Sequence, residues 1–417
     1  MKINEKTWAF IKKHADEDVR KVALLGVKDP KVDLQMALQQ IAGRQTARKK
    51  LSLWAAIEGI IYPPHLNMEQ CSSEQTARYK ASVAGQGDSM VDLTGGFGID
   101  FYWMSQGFHS RCYVEQDAQL CAISSENFRC LGHACSVCCS DTATYLSEMP
   151  HVSLAYLDPA RRNEHGGRTY GIADCSPNVL ELLPMLMEKA DQVILKLSPM
   201  LDWRKAVADI YAQFTMCNLP CSVVSKVHIV SIDNECKELV IQLINEKEEV
   251  INENKETRKE NKDVRVVCVN IQKGQEQVFE FHHTQQCLPI SHSSSLIPHF
   301  LYEPNASIMK AGCFAEIEHR YPVRQLAANS HLFLAADEIG DFPGRRFQIL
   351  AISPMNKKEL SENLVSLERA NIAVRNFPMS AEQLRKKLKL KDGGDTYIFA
   401  TTDDVGEHKL FICRKIG

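Results

Sequence analysis

The chain has 417 residues, 44% hydrophobic and 24% charged, with a formal net charge of −3. That length suits two or three domains with cores of their own, and the composition excludes a disordered or fibrous chain. A near-neutral total also excludes a uniformly basic nucleic-acid binder, so any such surface must be a local patch.

Residues 1–70 read as a helical region. Apolar positions recur at helical spacing through Trp8, Phe10 and Ile11, then Val19, Val22, Ala23 and Leu24, and again through Leu34, Ala37, Leu38 and Ile41. Residues 1–20 lack the apolar core of a signal peptide, and no apolar run is long enough to span a membrane. A cytoplasmic protein with no membrane partner is the expectation. Within Gly43–Trp54 lie Arg44, Arg48, Lys49 and Lys50, either a solvated helix face or a phosphate-binding one. Pro63-Pro64 closes the region.

Residues 71–245 alternate between helix and strand patterns, as a doubly wound α/β domain does. Ser72 and Ser73 start a helix that carries Thr76, Tyr79 and Lys80 on or near one face. Met90–Leu93 is a strand that runs into Thr94, Gly95, Gly96, Phe97 and Gly98, and Ile99 begins a helical pattern. A strand, a glycine turn and a helix start form a nucleotide-type pocket, because glycine permits positive φ and close backbone approach. The dinucleotide fingerprint requires a third glycine where Phe101 stands. An acid, Asp92, just before a Gly-x-Gly turn fits S-adenosylmethionine (SAM) better; the alternative is a tight turn of any α/β protein. Arg111–Glu115 is a second strand, ending in an acid placed to accept two ribose hydroxyls. A third strand, Cys135–Cys139, leads to Asp141, placed for an adenine amino group, with Thr142 capping the next helix. Each of these acids can alternatively serve as a helix cap. Cys135-x-x-Cys138 has metal-like spacing but no matching second pair, so no metal is expected, and the 15 cysteines read as reduced thiols.

Val152–Leu157 is a fourth strand ending in Asp158-Pro159-Ala160-Arg161-Arg162. Proline fixes the turn. Asp158 and a backbone carbonyl can then hold the N–H groups of a planar amine so that its lone pair faces the methyl group. Arg161 and Arg162 can clamp a phosphate or bridge to other acids. Asn163–Asn178 reads as a loop over the site. Lys196 falls inside an apolar strand, Gln192–Leu197, and needs a partner, Asp158 at the next strand end or solvent at the sheet edge. Ser222–Ile232 and Glu238–Ile244 close a seven-stranded sheet with an antiparallel pair.

Residues 246–263 are almost all charged or amide and read as a linker. Residues 264–339 begin with a hairpin, Val264–Ile271 and Gln277–Phe281, around Lys273-Gly274. His282, His283, His292 and His299 lack a ligand framework and read as surface or loop residues. Residues 340–417 read β-α-α-β-β, with a basic block at Arg385, Lys386, Lys387, Lys389 and Lys391 and further cations at Arg345 and Arg346. This is the best candidate for a phosphate-binding surface.

The stretches MVDLTGGFGID, QCSSEQTARYKA, LDPARR, LKLSPMLDW and EPNASIMKAG resemble a family of bacterial class I SAM-dependent methyltransferases with a C-terminal THUMP-like domain. The resemblance implies a Rossmann-like α/β fold, an N-terminal helical region, and small α+β C-terminal domains, ferredoxin-like over 264–339 and THUMP-like over 340–417. It implies SAM as cofactor, S-adenosylhomocysteine as product, and RNA (tRNA or rRNA) as acceptor. Asp92, Thr94, Gly95, Gly96, Gly98, Glu115, Asp141 and Thr142 would bind the cofactor. Asp158, Pro159 and Arg161 would form the catalytic turn, and Arg162, Tyr170, Arg385, Lys386 and Lys387 would hold substrate. The turn is similar to the Asp-Pro-Pro-Tyr turn of amino-methyltransferases, but Ala160 replaces the second proline and Arg161 the aromatic residue, so stacking would fall to Tyr170 or the target is not a flipped base. Two other functions fit the same residues: methylation of a protein or small molecule, or RNA binding without chemistry. Oligomeric state has no signal in the sequence.

Overall fold

The computed structural model describes residues 3–161, 171–219, 222–245, 264–283, 297–365 and 367–416. The chain forms two units, Met1–His228 with Lys237–Asn261 and Ile229–Cys236 with Lys262–Gly417.

The first unit opens with helices Glu5–Lys13, Val19–Leu25 and Leu34–Lys50, each started by a side-chain cap from Asn4, Asp18 or Asp33. They bury Ile11, Val22, Ala37 and Ile41 together, members of the stripes that helical spacing predicts, whereas Ala23 and Leu24 of the second stripe are exposed. Ser73 caps the helix Glu74–Ala84 by accepting from the Thr76 N–H. The strands that follow are β1 (Gly87–Asp92), β2 (Phe108–Glu115), β3 (Ser136–Cys139), β4 (Val152–Leu157), the two-residue pair β5 (Ala160–Arg161) and β6 (Cys175–Ser176), β7 (Ala190–Leu197), β8 (Ser222–Ile232) and β9 (Glu235–Asn245), of which Ile229–Cys236 is counted with the second unit. Strands β1, β2, β3, β4 and β7 are parallel, and β9 runs antiparallel to β7. The turn between β8 and β9 holds Asp233 and Asn234 at φ 48° and 64°, a conformation asparagine and aspartate tolerate.

The second unit holds the hairpin β10 (Val264–Gln272) and β11 (Gln275–His283). Next come β12 (Phe300–Pro304), helices Ala306–Ala311 and Phe314–Arg320, β13 (Arg324–Gln325), β14 (Phe333–Ala335) and β15 (Gly344–Pro354). It ends with helix Lys357–Asn363, β16 (Asn371–Arg375), helix Ala381–Leu388, β17 (Thr396–Thr402) and β18 (His408–Ile416). The seven strands β13-β14-β12-β15-β18-β17-β16 form one sheet in that order.

Two expectations are corrected. The large sheet has nine strands, β11-β10-β8-β9-β7-β4-β1-β2-β3, rather than seven. The extra pair is the β10–β11 hairpin: Val264, Val266, Cys268 and Val269 are buried, and a charged run before them in sequence does not prevent them from joining the sheet. The end region reads β-α-β-α-β-β, with β16 missing from the sequence pattern. β16 is a five-residue edge strand, half exposed along its length, and its apolar run, Ile372-Ala373-Val374, is too short to announce a strand. Among the described residues no helix is long and apolar enough to cross a membrane, and no group of His, Cys, Asp and Glu is arranged to hold a metal.

Candidate active site

The C-terminal ends of the parallel strands carry the site, where ligands of open α/β sheets bind. After β1 the chain turns through Gly95, Gly96 and Gly98 before a six-residue helix, Ile99–Met104. Gly96 and Gly98 have φ of 56° and 82°. Two of these glycines are demanded by packing. A Cβ on Gly95 would meet the Tyr113 ring at 2.2 Å, and one on Gly98 the Phe128 ring at 2.6 Å. Gly96 differs: the nearest atom to its would-be Cβ is the Thr94 carbonyl at 3.7 Å, so the turn is open on that side. The turn is pinned from below by Tyr113, whose hydroxyl reaches the Gly96 carbonyl at 2.5 Å.

The three strand-end acids are in unlike settings. Asp92 is 1% exposed, and its Oδ1 accepts from the Thr94 N–H at 3.0 Å. Burial pushes its carboxyl well above the usual range, an effect that Asp100, Asp158 and Glu115 reinforce. It lies beneath the turn and shapes it. Glu115 is half-buried and accepts the Gly96 N–H on Oε2 at 2.8 Å and the Asp117 N–H on Oε1 at 2.9 Å. One further acceptor site is left on each oxygen. Asp141 is exposed and caps the helix Thr142–Glu148 through the Thr144 N–H, a bond that holds its carboxyl low. Thr142 Oγ1 donates to the Leu93 carbonyl at 2.8 Å, tying the third strand end to the glycine turn.

Thr94 makes the other tie. Its Oγ1 accepts the Asp158 N–H at 2.6 Å, so the turn after β1 sets the position of the turn after β4. Asp158 Oδ2 meets Lys196 Nζ of β7 at 2.5 Å, with side-chain exposures of 34% and 12%. The lysine in the apolar strand therefore has the partner that its burial requires. Although burial works against its charge, Asp158, Glu238 and Asp100 hold the Lys196 ammonium above its ordinary value.

Behind this pair is a buried ionic cluster that the sequence did not announce. Lys80 is fully buried; its ammonium bonds Glu238, donates to Ser72 Oγ at 3.0 Å and lies 3.2 Å from Asp100 Oδ1. The Tyr156 hydroxyl and Ser72 Oγ each lie 2.7 Å from Asp100 Oδ2. Burial pushes the Asp100 carboxyl up, but Lys80 and Lys196 pull it further down, so it stays ionised. The cluster draws on four elements and on the residues before the helix Glu74–Ala84, and Ser72 and Glu238 are 166 residues apart. Its one sequence signal is Lys80, which helical spacing puts on the same face as Thr76 and Tyr79; all three are buried.

The backbone of Arg161 forms β5 with β6, whereas Arg162 and Tyr170 lie outside the described residues. Arg385, Lys386 and Lys387 are on helix Ala381–Leu388 of the second unit. There Arg385 pairs with Asp392 at 2.5 Å and Lys386 with Glu382 at 2.9 Å. The basic run of the first unit lines a cleft of about 640 Å³ with Arg48, Lys49, Lys50 and His65. Arg48 pairs there with Asp16, and Lys50 donates to the Met68 and Glu69 carbonyls at 3.0 and 2.8 Å, so these two cations hold helices together. His282 and His299 are exposed and His283 half-buried; His292 lies outside the described residues.

The chain is similar to known domain families and to solved structures. The THUMP domain-like family model matches residues 344–415, and a ferredoxin-like domain model matches residues 300–343. No curated protein matches the chain. A crystal structure from Porphyromonas gingivalis W83, titled "putative methyltransferase", is 28% identical with a TM-score of 0.81 and covers 100% of both chains. A "putative RNA methyltransferase" from Pyrococcus horikoshii is 15% identical with a TM-score of 0.33, covering 49% of this chain and 100% of its own. TrmK of M. capricolum, solved with S-adenosylhomocysteine, is 10% identical with a TM-score of 0.31, covering 41% of this chain and 68% of its own. By its full-length likeness and its two family models, this chain is a methyltransferase-fold protein that ends in a ferredoxin-like segment and a THUMP-like domain.

Proposed function

We propose that the protein is a SAM-dependent methyltransferase that acts on RNA, tRNA or rRNA, at a base nitrogen held by the Asp158-Pro159 turn. The observation that carries the reading is the double tie through Thr94 and Thr142. It fixes the glycine turn, the Asp158 turn and the third strand end as one rigid rim.

The chain's own groups fit the cofactor. The open side of Gly96 leaves room for close approach, Glu115 keeps acceptor capacity for two ribose hydroxyls, and exposed Asp141 keeps capacity for an adenine amine. Asp92, beneath the turn, and Gly95 and Gly98, packed on Tyr113 and Phe128, keep that rim in shape. When bound, SAM supplies a methyl carbon made electrophilic by its sulfonium. The protein then has to position a nucleophile, which is where most of the rate of an in-line displacement is gained. Asp158 accepts one N–H of the acceptor amine and the turn's carbonyl another, which directs the nitrogen lone pair toward the methyl group. Lys196 fixes the Asp158 carboxylate from the opposite side. The proton released after transfer passes to Asp158 or to water. The THUMP-like domain supports an RNA acceptor.

The test is transfer of labelled methyl from SAM to bulk RNA taken from cells lacking the gene. RNA labelled by the wild-type protein, with Asp158→Ala transferring at least about a hundredfold less while still binding S-adenosylhomocysteine, is the expected result. Transfer that survives in Asp158→Ala removes the turn from the chemistry. Cofactor binding without RNA label moves the acceptor to a protein or small molecule.

A further inference from the structure

In the second unit one buried carboxylate holds two arginines. Glu303 of β12 is 2% exposed and stands opposite Arg345 of β15 in the strand register. Arg345 donates from Nε at 2.6 Å and from Nη2 to Oε2, and Arg375 of β16 donates from Nη2 to Oε1 at 2.6 Å. β16 is four strands from β12 in the sheet order, so the sheet curls until its edge meets Glu303. A single negative charge thus orients two guanidiniums, and the group is left with one excess positive charge.

Most of the donors remain unspent. Each guanidinium has five N–H groups, and the Arg345 and Arg375 side chains are 38% and 37% exposed. Arg375 Nε and His331 Nδ1 are buried without a hydrogen-bond partner, and Arg375 Nη1 donates to the Val374 carbonyl at 3.4 Å, so the donors Arg375 has left for a ligand are on its Nη1 and Nη2; burial together with the Arg375 cation lowers the His331 pKa. The acid that offsets the neighbouring Arg346 is Glu338, at 3.2 Å. Arg346, one residue along the strand, points to the opposite face from Arg345. On the basic helix Ala381–Leu388, Arg385 and Lys386 each have an acid of their own, although Arg385 Nε, like Arg375 Nε, is buried without a partner.

We propose that the Arg345–Arg375 pair binds a backbone phosphate of the RNA acceptor, and that this fork, rather than the basic helix, is the main phosphate contact of the end domain. The inference rests on the RNA reading of the function above. Two planar guanidiniums present parallel N–H pairs that match phosphate oxygens, and Arg serves this better than Lys. Because Glu303 already fixes both side chains, little conformational freedom is lost on binding. Phe347 beneath Arg345 is buried, so the fork has no exposed ring on which to stack a base. It would grip backbone without reading sequence.

The test is binding of bulk tRNA and of a single-stranded RNA oligonucleotide by the full chain at several salt concentrations. Arg345→Gln with Arg375→Gln should weaken binding about tenfold and reduce the slope of log K against log salt by about one. Arg345→Lys with Arg375→Lys should keep the slope and lose part of the affinity. Affinity for S-adenosylhomocysteine should stay at the wild-type value in both. Because the glutamine pair leaves Glu303 buried without a counter-charge and can unfold, the wild-type protein supplies a second measurement. RNA should protect Arg345 and Arg375 from phenylglyoxal, mapped by peptide mass spectrometry. Equal modification with and without bound RNA, or glutamine variants that bind with wild-type affinity and slope, overturns the proposal and leaves the RNA reading standing. A wild-type protein that neither binds RNA nor methylates it overturns both.

Discussion

Two regions of the molecule, the buried cluster of the first unit and the end helix of the second, use charge in opposite ways. In the first, Lys80, Asp100 and Glu238 are at most 8% exposed and bond only to one another and to neighbouring hydroxyls. In the second, Lys386 and Glu382 of the end helix make a pair 77% and 74% exposed. Solvated pairs of that kind contribute little, because water already screens both ions. Burial of an ion has a large desolvation cost that only close, well-formed partners offset. The buried cluster therefore marks a place where geometry is fixed, and it is adjacent to the Asp158–Lys196 pair. The exposed helix marks a place where charge is cheap to change. Between these extremes, the Glu303 fork has a buried anion and two half-exposed cations.

The sharpest way to break this contrast is to remove one ion from the buried cluster. Lys80→Met leaves Glu238 and Asp100 buried without their cation and should cost about 3–5 kcal/mol, read by denaturant unfolding. Lys80→Met combined with Glu238→Gln should recover part of that loss, since the two residues form one unit. A loss below about 1 kcal/mol for Lys80→Met would mean that water enters the cluster and that it is not the rigid support assigned to it.

Acid provides the next test. Burial lowers both His133 and His228 to about 4, below the ordinary value near 6.5. A folded-state value below the unfolded one means that the unfolded chain binds protons first. The stability of the neutral rings is fully present above about pH 6.5 and is lost as pH falls toward 4. His228 lies against Tyr79, with Nδ1 2.7 Å from the hydroxyl, and His133 Nε2 is 2.9 Å from Ser105 Oγ. The melting temperature should fall between pH 7 and pH 4.5, and His228→Gln should flatten part of that slope. An unchanged slope assigns the acid sensitivity elsewhere.

What could be read from the sequence followed from local rules. The strand-end acids, the glycine turn and the N-caps come from residues within a few positions of one another, and the structure has them where spacing put them. Lys196 was legible for another reason: an ammonium in an apolar strand demands a partner, and Asp158 was within one strand. The Ser72–Glu238 contact was not legible, because nothing local ties the residues before the helix Glu74–Ala84 to β9. Nor was the Glu303 fork, which depends on the curl of a seven-stranded sheet and on β16, a strand too short and too evenly exposed to carry a pattern. The reading of Gly95 and Gly98 as room for a ligand missed their packing for the same reason. Tyr113 and Phe128 come from β2 and the helix after it, and their approach to the turn is a tertiary fact.

The glycine turn gives the finest comparison, between two neighbouring positions rather than two units. Gly98→Ala sets a Cβ 2.6 Å from the Phe128 ring at φ 82°, so it combines backbone strain with a clash and should cost about 2–3 kcal/mol. Gly96→Ala meets nothing closer than 3.7 Å. Only the strain of its φ of 56° remains, a cost of about 1 kcal/mol. If Gly96 borders the cofactor, the small stability loss should come with a large loss of affinity for S-adenosylhomocysteine. Gly98→Ala should show the reverse balance. Calorimetric titration of both variants beside their melting curves separates the two roles. Equal affinity loss in the two would mean that the turn acts only as a packed corner, and the cofactor edge would have to be sought nearer Glu115 and Asp141.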